Sequence, residues 1–453
     1  MEKIFSQNDI ENFAKESNDF NPLHCDYQYA RKTMYGECVV YGVSGILECL
    51  KTVKKPICFL EATFFKPLFC KIPYQVSENG ILDGDVKISK LKLKFSESEC
   101  ESIKSGITTP HSSQNLQAKD MCIKDILTKK EFVGEYVSNS DNKSLLANLL
   151  MWSSWFVGME VPGKQALYSK IKINLKNDGG FGWSKPFSYK VNIQDYHEKY
   201  NLLSMSFECF ANGNIIADGI LEAFIRPKIN QNFYQKNTMP HELQGKFVGK
   251  TALITGASRG FGAALSQVMA AMGAHVIINF NNSMEEAQNL QRAIENQGGS
   301  AELWQCDVSK MQNENRSIDI LALNAAPPTL ALKLALHNSS RIEQYLSKAF
   351  SYALIPLSIF ADTINKNNGY CLIVSSEYLD SIEQDFPHYL CSKAAVEMLG
   401  VYASKQFNKT KYVTIRPPKM LTDMSNSVAG NINSVDPIII AEQACLKLLG
   451  EMN

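Results

Sequence analysis

The chain has 453 residues, 46 basic and 46 acidic, with 45% apolar and 20% charged residues. At roughly 150 residues per domain this is about three domain-sized units. The apolar content excludes a disordered chain, and zero net charge leaves no global field for nucleic acid or an anionic membrane. No apolar run reaches the roughly 18 residues of a membrane span, and the start, Met1 to Gln7, lacks a signal-peptide core. The 12 cysteines include no CxxC pair, which points to reduced thiols in a cytoplasmic protein without a metal site.

In chain order, a helix-like stretch and a loop lead to a second predicted helix near Val43–Thr52, then to strands at Ile57–Phe65 and Val86–Phe95. From Ser96 to about Lys130 the sequence is polar and reads as a linker or long surface loop. The order then returns: a helix over Lys143–Phe156, strands over Leu167–Leu175 and Ser188–Asp195, and a hairpin of Leu202–Phe210 with Asn214–Phe224 across Ala211-Asn212-Gly213. A helix followed by an antiparallel meander, present twice, predicts one duplicated α+β unit, with little residue identity between its halves. After a polar bridge, Pro227 to about Gly245, the texture changes. Runs at Thr251–Thr255, Ala263–Met272, His275–Phe280, Ile318–Leu323 and Tyr370–Val374 carry the βαβ rhythm of an α/β doubly wound parallel sheet. The expected domains are 1–120, 121–235 and 246–453.

Between a strand and a helix of the last region lies Thr255-Gly256-Ala257-Ser258-Arg259-Gly260-Phe261-Gly262. Glycines let the backbone approach a pyrophosphate closely, and the helix N-terminus offers it free N–H groups. Downstream, Tyr389 and Lys393 fall on one face of one helical turn, and Ser376 stands 13 positions before Tyr389. A lysine beside a tyrosine is expected to lower the phenol's pKa and make it a better proton relay.

With these motifs the region from about 246 resembles a short-chain dehydrogenase/reductase with a Rossmann fold, close to the 3-oxoacyl-thioester reductases. The resemblance implies that Tyr389 protonates the carbonyl oxygen as hydride arrives, that Lys393 holds the nicotinamide ribose and tunes Tyr389, and that Ser376 hydrogen-bonds the substrate carbonyl. Gly256, Ser258, Arg259, Gly260, Phe261 and Gly262 would hold the cofactor phosphates. Asp307 and Val308 match the adenine-contacting pair, and Asn324-Ala325-Ala326 stands where Asn-Ala-Gly is usual. The second strand ends Ile278-Asn279-Phe280-Asn281-Asn282 without an acid, and Arg259 stands where it can meet a 2′-phosphate, so NADPH is expected over NAD. The sequence departs from the family in four places. Asn324 follows Asp307 by only 17 positions, where a whole helix is usual. The place of a fourth catalytic residue, an asparagine, falls near Phe350–Ser351. Arg416-Pro417-Pro418 has proline where Pro-Gly is usual, and the sequence ends before the family's last strand.

Near the N-terminus, Asp19-Phe20-Asn21-Pro22-Leu23-His24 sets an acid and an imidazole in one proline-fixed loop, a plausible proton-transfer pair. Gly42 then opens an apolar helix whose first N–H groups can polarise a thioester carbonyl. From Phe5 to Gly42, with Asp26, Ala30 and Arg31, the sequence is similar to the MaoC-like (R)-specific enoyl-thioester hydratases, which have a hotdog fold. That likeness implies a catalytic pair Asp19/His24, a loop-orienting Asn21 and an oxyanion N–H at Gly42. Tyr41 replaces the usual histidine before that glycine. The second repeat, with no second Asp/His pair, would complete a double hotdog. His197 reads as a surface residue, and Leu145–Phe156 as core, or as the lining of an acyl-chain tunnel.

Two chemistries on one chain fit a sequence of steps. A reductase makes a (3R)-3-hydroxyacyl thioester from a 3-oxoacyl thioester on acyl carrier protein or coenzyme A, and a dehydratase takes it to the trans-2-enoyl thioester. Two alternatives stay open: a dehydratase with a catalytically silent reductase-like scaffold or dimerisation module, and a non-catalytic acyl-carrier-protein-binding module. Whether the chain forms a homo-oligomer is also open.

Overall fold

In a computed structural model, the alternating apolar runs of Met1–Pro227 form one ten-stranded antiparallel sheet. The structure describes residues 1–96, 117–139, 144–176, 186–228, 234–235, 238–312, 315–382, 385–426 and 428–451; most of the expected linker, 97–116, lies outside them. The first half runs β1 (Glu2–Ile4), α1 (Gln7–Ser17), α2 (Pro22–Cys25), α3 (Tyr27–Ala30), α4 (Gly42–Leu50), β2 (Ile57–Phe64), β3 (Pro73–Ser77), β4 (Gly80–Asp83) and β5 (Val86–Phe95). The second runs α5 (Ile123–Lys129), β6 (Glu131–Tyr136), α6 (Leu145–Trp155), β7 (Ala166–Leu175), β8 (Phe187–His197), β9 (Leu202–Ala211) and β10 (Asn214–Ile225).

Strand order is β1-β3-β4-β5-β2-β7-β10-β9-β8-β6. The two halves are mirror images in this list. In each, the strand after the long helix lies at the centre, and the strand before it lies at the edge. β2 and β7 pair antiparallel, Leu60 opposite Ile173, and join the halves. The duplication expected from the element order is therefore present in the sheet topology. α5 lies inside the stretch expected to be loop. Its seven residues bury only Ile126, too little apolar periodicity to register in a polar sequence.

The two long helices are not equivalent. α4 is amphipathic and buries Val43, Gly45, Ile46 and Cys49. All eleven residues of α6 are buried, and a π-helical turn, Phe156–Glu160, continues it. A helix apolar all round belongs in an interior, so Asn148, Ser153 and Ser154 need partners there.

Lys228–Asn453 is a separate unit. It comprises β11 (Thr251–Ile254), α7 (Gly260–Ala271), β12 (His275–Phe280), α8 (Met284–Asn296), β13 (Ser300–Gln305), β14 (Ile320–Leu323), α9 (Ser339–Lys366), β15 (Tyr370–Val374), α10 (Tyr378–Ser381), α11 (Pro387–Gln406), β16 (Lys411–Ile415), α12 (Val428–Asn431) and α13 (Pro437–Leu449). Its six parallel strands take the order β13-β12-β11-β14-β15-β16. The order in which strands are added reverses between β11 and β14, the switch point where such sheets bind ligands. Tyr234, Met239 and Leu243, ahead of the expected start at Lys246, pack into its core. Between β13 and β14 the described chain holds a single 3-10 turn, Val308–Lys310, rather than a full helix. Trp304 covers that face, edge-on to Phe360 at 6.2 Å, with the Arg316 guanidinium 4.5 Å above its ring. Among the described residues no helix is long and apolar enough to cross a membrane, and no group of three His, Cys, Asp or Glu could hold a metal.

Candidate active sites

The N-terminal unit holds a cavity of about 180 Å³ lined by Asp19, Asn21, His24, Tyr41 and Gly42 from the first half and by Ser154, Val157, Gly158 and Tyr168 from the second. α1 ends at a left-handed Asn18, and the chain turns sharply into the Asp19 loop. Asn21 fixes that loop. Its Oδ1 accepts from the Leu23 N–H at 3.0 Å, and its Nδ2 donates to the carbonyls of Gly158 at 2.7 Å and Gly163 at 3.1 Å.

Asp19 is buried. It accepts from Ser154 Oγ at 2.7 Å and from the Asn21 N–H at 3.1 Å. Burial raises its pKa to about 7 against the pull of those two bonds. His24 Nδ1–H donates to the Val39 carbonyl at 2.7 Å, which leaves Nε2 with its lone pair free. Burial lowers His24 to about 4, the Val39 bond opposes this, and the Arg226 charge adds to it. Near neutral pH the pair is therefore a neutral imidazole beside a carboxyl that is partly protonated. Tyr41 lies between them. Its ring stacks on His24 with centroids 3.8 Å apart, and its hydroxyl donates to the Asp19 carbonyl. Gly42 is the first residue of α4, and a side chain there would strike the Phe64 ring at 2.8 Å. His197 is exposed and stacks on Tyr200.

Sequence reading missed Ser154 and Gly158. Both come from α6 and its π-turn; Ser154 lies 135 positions from Asp19, and a side chain on Gly158 would meet Asp19 Oδ1 at 2.7 Å. The available signal was a serine pair in a helix whose only other polar residue is Asn148.

In the C-terminal unit the expected residues gather at the carboxyl ends of the strands. Gly256 and Gly260 have φ of +63° and +55°, where a side chain is strained. A Cβ on Gly262 would collide with the Gly256 carbonyl and with Asn324 Nδ2, the latter at 2.6 Å. Asn324 Nδ2 donates to the Thr255 and Gly256 carbonyls, both at 3.0 Å, and the Ala325 N–H donates to Thr255 Oγ1 at 3.1 Å. Asn279, at the end of β12, accepts from the Gly256 N–H at 3.3 Å. Ser258 and Phe261 are buried under the loop. α7 has no side-chain cap, so its first N–H groups face the loop. This cradle, which a Cβ would fill, fits a dinucleotide pyrophosphate. Asp307 accepts from Ser309 N–H at 3.0 Å and Oγ at 2.7 Å, and Val308 is buried. Arg259 is ion-paired with Asp423 at 2.7 Å, so its charge already has a partner where a 2′-phosphate was expected to meet it.

Ser376 follows β15, and Tyr389 and Lys393 lie on α11. Ser376 Oγ accepts from the Tyr378 N–H at 3.2 Å and lies near Tyr389. Lys393 Nζ lies 5.7 Å from the Tyr389 ring and donates to the Val374 carbonyl at 2.8 Å. The expected depression of Tyr389 by Lys393 does not occur. Burial raises the phenol, and the opposing pull comes from Ser376. Lys393 is itself pushed down to about 8 by burial, which Glu397 opposes. From α9, Tyr345, Ala349, Tyr352 and Ala353 line a small cavity together with Lys393.

Strand order, glycine cradle and a Ser–Tyr–Lys set define the second unit as a dinucleotide-binding α/β domain. A family model described as short chain dehydrogenase matches residues 250–432, which identifies this part of the chain as a domain of that family. The chain is 29% identical over 178 residues to the fatty acyl-CoA reductase of Acinetobacter baylyi, covering 36% of this chain and 59% of that protein. Elsinochrome reductase 1 of Elsinoe fawcettii is 42% identical over 71 residues, 16% of this chain and 27% of its own length. The chain thus spans less than two thirds of these curated relatives. Among solved structures, the 3-oxoacyl (acyl-carrier-protein) reductase of Agrobacterium tumefaciens with NADP bound is similar at a TM-score of 0.42 and 21% identity, over 48% of this chain and 92% of that one.

Proposed function

We propose that the C-terminal unit is an NADPH-dependent 3-oxoacyl-thioester reductase and the N-terminal unit a (3R)-3-hydroxyacyl-thioester dehydratase of double hotdog fold. The chain would then take a 3-oxoacyl thioester, carried on acyl carrier protein or coenzyme A, to a trans-2-enoyl thioester. The observation that carries the reductase is the gathering of Ser376, Tyr389 and buried Lys393 at the open end of the sheet that bears the glycine cradle. The fatty acyl-CoA reductase among the similar proteins agrees with an acyl thioester substrate.

At this site the cofactor supplies the hydride. Tyr389, kept protonated by burial, donates its proton to the carbonyl oxygen, and Ser376 Oγ holds that oxygen. Lys393 stabilises the phenolate left behind. Gly256, Gly260, Gly262 and the start of α7 would hold the pyrophosphate, with Asn324 bracing the loop.

The dehydratase rests on a separate observation: Asp19 and His24 share one cavity, with pKa values shifted in opposite directions, and such a divergence is how acid and base roles are divided. His24 Nε2 takes the proton from the substrate's α-carbon. Protonated Asp19 donates to the β-hydroxyl, which leaves as water as the double bond forms. The Gly42 N–H polarises the thioester carbonyl. Proton exchange between imidazolium and carboxylate resets the pair. The mirrored strand order with one long helix per half supports the double hotdog reading.

The test is incubation of the chain with 3-oxobutanoyl-coenzyme A and NADPH, with mass detection of products. Tyr389→Phe is expected to abolish NADPH oxidation, and Asp19→Asn to stop the reaction at the hydroxyacyl stage. Intact NADPH oxidation in the first or intact enoyl product in the second overturns the corresponding half. Enoyl hydration without any NADPH oxidation by the unsubstituted chain would favour the reading with a silent reductase-like domain, which the missing helix between β13 and β14 motivates.

A further inference from the structure

The N-terminal site has little room for the acyl tail. We infer that it is built for a short acyl thioester of about four carbons, an inference that rests on the dehydratase reading. Among the described residues, both long helices pack closely on the sheet. Beneath α6 the room is filled by aromatic side chains. The Trp152 ring packs against Phe207, Tyr189 and Phe156 with centroids 5.0, 5.5 and 5.8 Å apart. Trp152 is wholly buried. Beneath α4 the helix lies tight on the sheet: a Cβ on Gly45 would stand 2.7 Å from both Ile81 and Leu68.

What remains is the cavity of about 180 Å³ around Asp19 and His24. An engineered cavity of about 150 Å³ in another protein accommodates benzene, six heavy atoms. By that measure the cavity seats the thioester group and the first few carbons, including both reacting ones. Phe64, Val157 and Tyr168 form walls around it, with Phe64 and Tyr168 in ring contact at 5.3 Å. Protein interiors resist opening, so a tail of eight further methylenes has to displace packed side chains or stay in water.

Two measurements on the full chain test this. The first is hydration of trans-2-butenoyl-, octenoyl- and dodecenoyl-coenzyme A. The expected result is a kcat/KM for butenoyl about 100-fold above that for dodecenoyl. The second is calorimetric binding of the unreactive butyryl- and lauroyl-coenzyme A, which needs no catalysis. Butyryl-coenzyme A is expected to bind, and Val157→Trp, which fills the cavity, is expected to remove the part of the signal belonging to this site. Phe64→Ala is expected to raise the octenoyl-to-butenoyl rate ratio about tenfold. Lauroyl binding as tight as butyryl, dodecenoyl hydration within about threefold of butenoyl, or a rate ratio unmoved by Phe64→Ala overturns the inference. Failure of the dehydratase reading is distinguishable from these: no chain length is then hydrated, while the binding arm still reports the length limit of the cavity.

Discussion

Asp19 and His24 carry opposite protonation demands, and their surroundings set both. Burial holds the Asp19 carboxyl up to about 7 and the His24 imidazole down to about 4. Dehydration with Asp19 as acid and His24 as base then needs a pH below the first and above the second. The rate should plateau between about 4 and 7, falling above as Asp19 loses its proton and below as His24 gains one. The Ser154 hydroxyl stabilises the Asp19 carboxylate. Ser154→Ala therefore raises the Asp19 pKa further and moves the alkaline limb to higher pH, which a pH–rate profile reads directly; an alkaline limb that stays in place or moves down contradicts this electrostatic assignment. Tyr41 is a positioning residue by the same geometry. Tyr41→Phe keeps the stack on His24 but leaves the buried Asp19 carbonyl without its hydroxyl donor, at a cost of about 1–3 kcal/mol. It should lower Tm and reduce dehydration more in kcat than in KM; wild-type values of both would show that the hydroxyl has no such role. Sequence motifs made Asp19, Asn21, His24 and Gly42 legible because they lie within one loop and the next helix start. Ser154 was not legible, because its partner is distant in the chain and only the fold brings them together. The expected lysine effect on Tyr389 erred for a related reason: spacing shows proximity, but only burial shows that desolvation outweighs charge there.

At the scale of elements, two glycines mark where backbone and side chain must pass closely. A methyl on Gly158 would press on the Asp19 carboxyl at 2.7 Å, and displacement of about 1 Å in such a group costs about 100-fold in rate. Gly158→Ala should thus depress dehydration by that order while NADPH oxidation is unchanged. Gly262→Ala should do the reverse, because its Cβ would force apart the Gly256 carbonyl and Asn324; NADPH affinity, measured by fluorescence titration, should fall while hydration of butenoyl-coenzyme A persists. If either variant alters both activities equally, the division of sites is wrong. Most long elements were legible from periodicity. α5 was not, with one buried apolar residue in seven, and neither was β6, a six-residue edge strand with Phe132 and Tyr136 buried in an otherwise polar run. The short β13–β14 connection was visible as a spacing, but its repair was not: Trp304 and Arg316 cover the face only once β13 and the loop are folded.

For the whole molecule, the length arithmetic anticipated three units; the chain divides into two, Met1–Pro227 and Lys228–Asn453, and the duplication lies within the first, carried by topology where residue identity is faint. Divergence between the halves has a physical form. The first half holds Asp19 and His24, and the second buries Trp152 among aromatic neighbours and brings Ser154 and Gly158 against Asp19. The neutral total charge fits sites whose anionic ligands are met locally, by the α7 N-terminus and Lys393, with Arg259 already paired to Asp423. The central claim is that one chain performs reduction and dehydration in sequence. The most direct measurement is time-resolved mass spectrometry of 3-oxobutanoyl-coenzyme A with NADPH and the unsubstituted chain. The account predicts consumption of NADPH, a transient (3R)-3-hydroxybutanoyl thioester and then the trans-2-butenoyl thioester at their equilibrium ratio. A hydroxyacyl product that accumulates with no enoyl thioester at any time would contradict it.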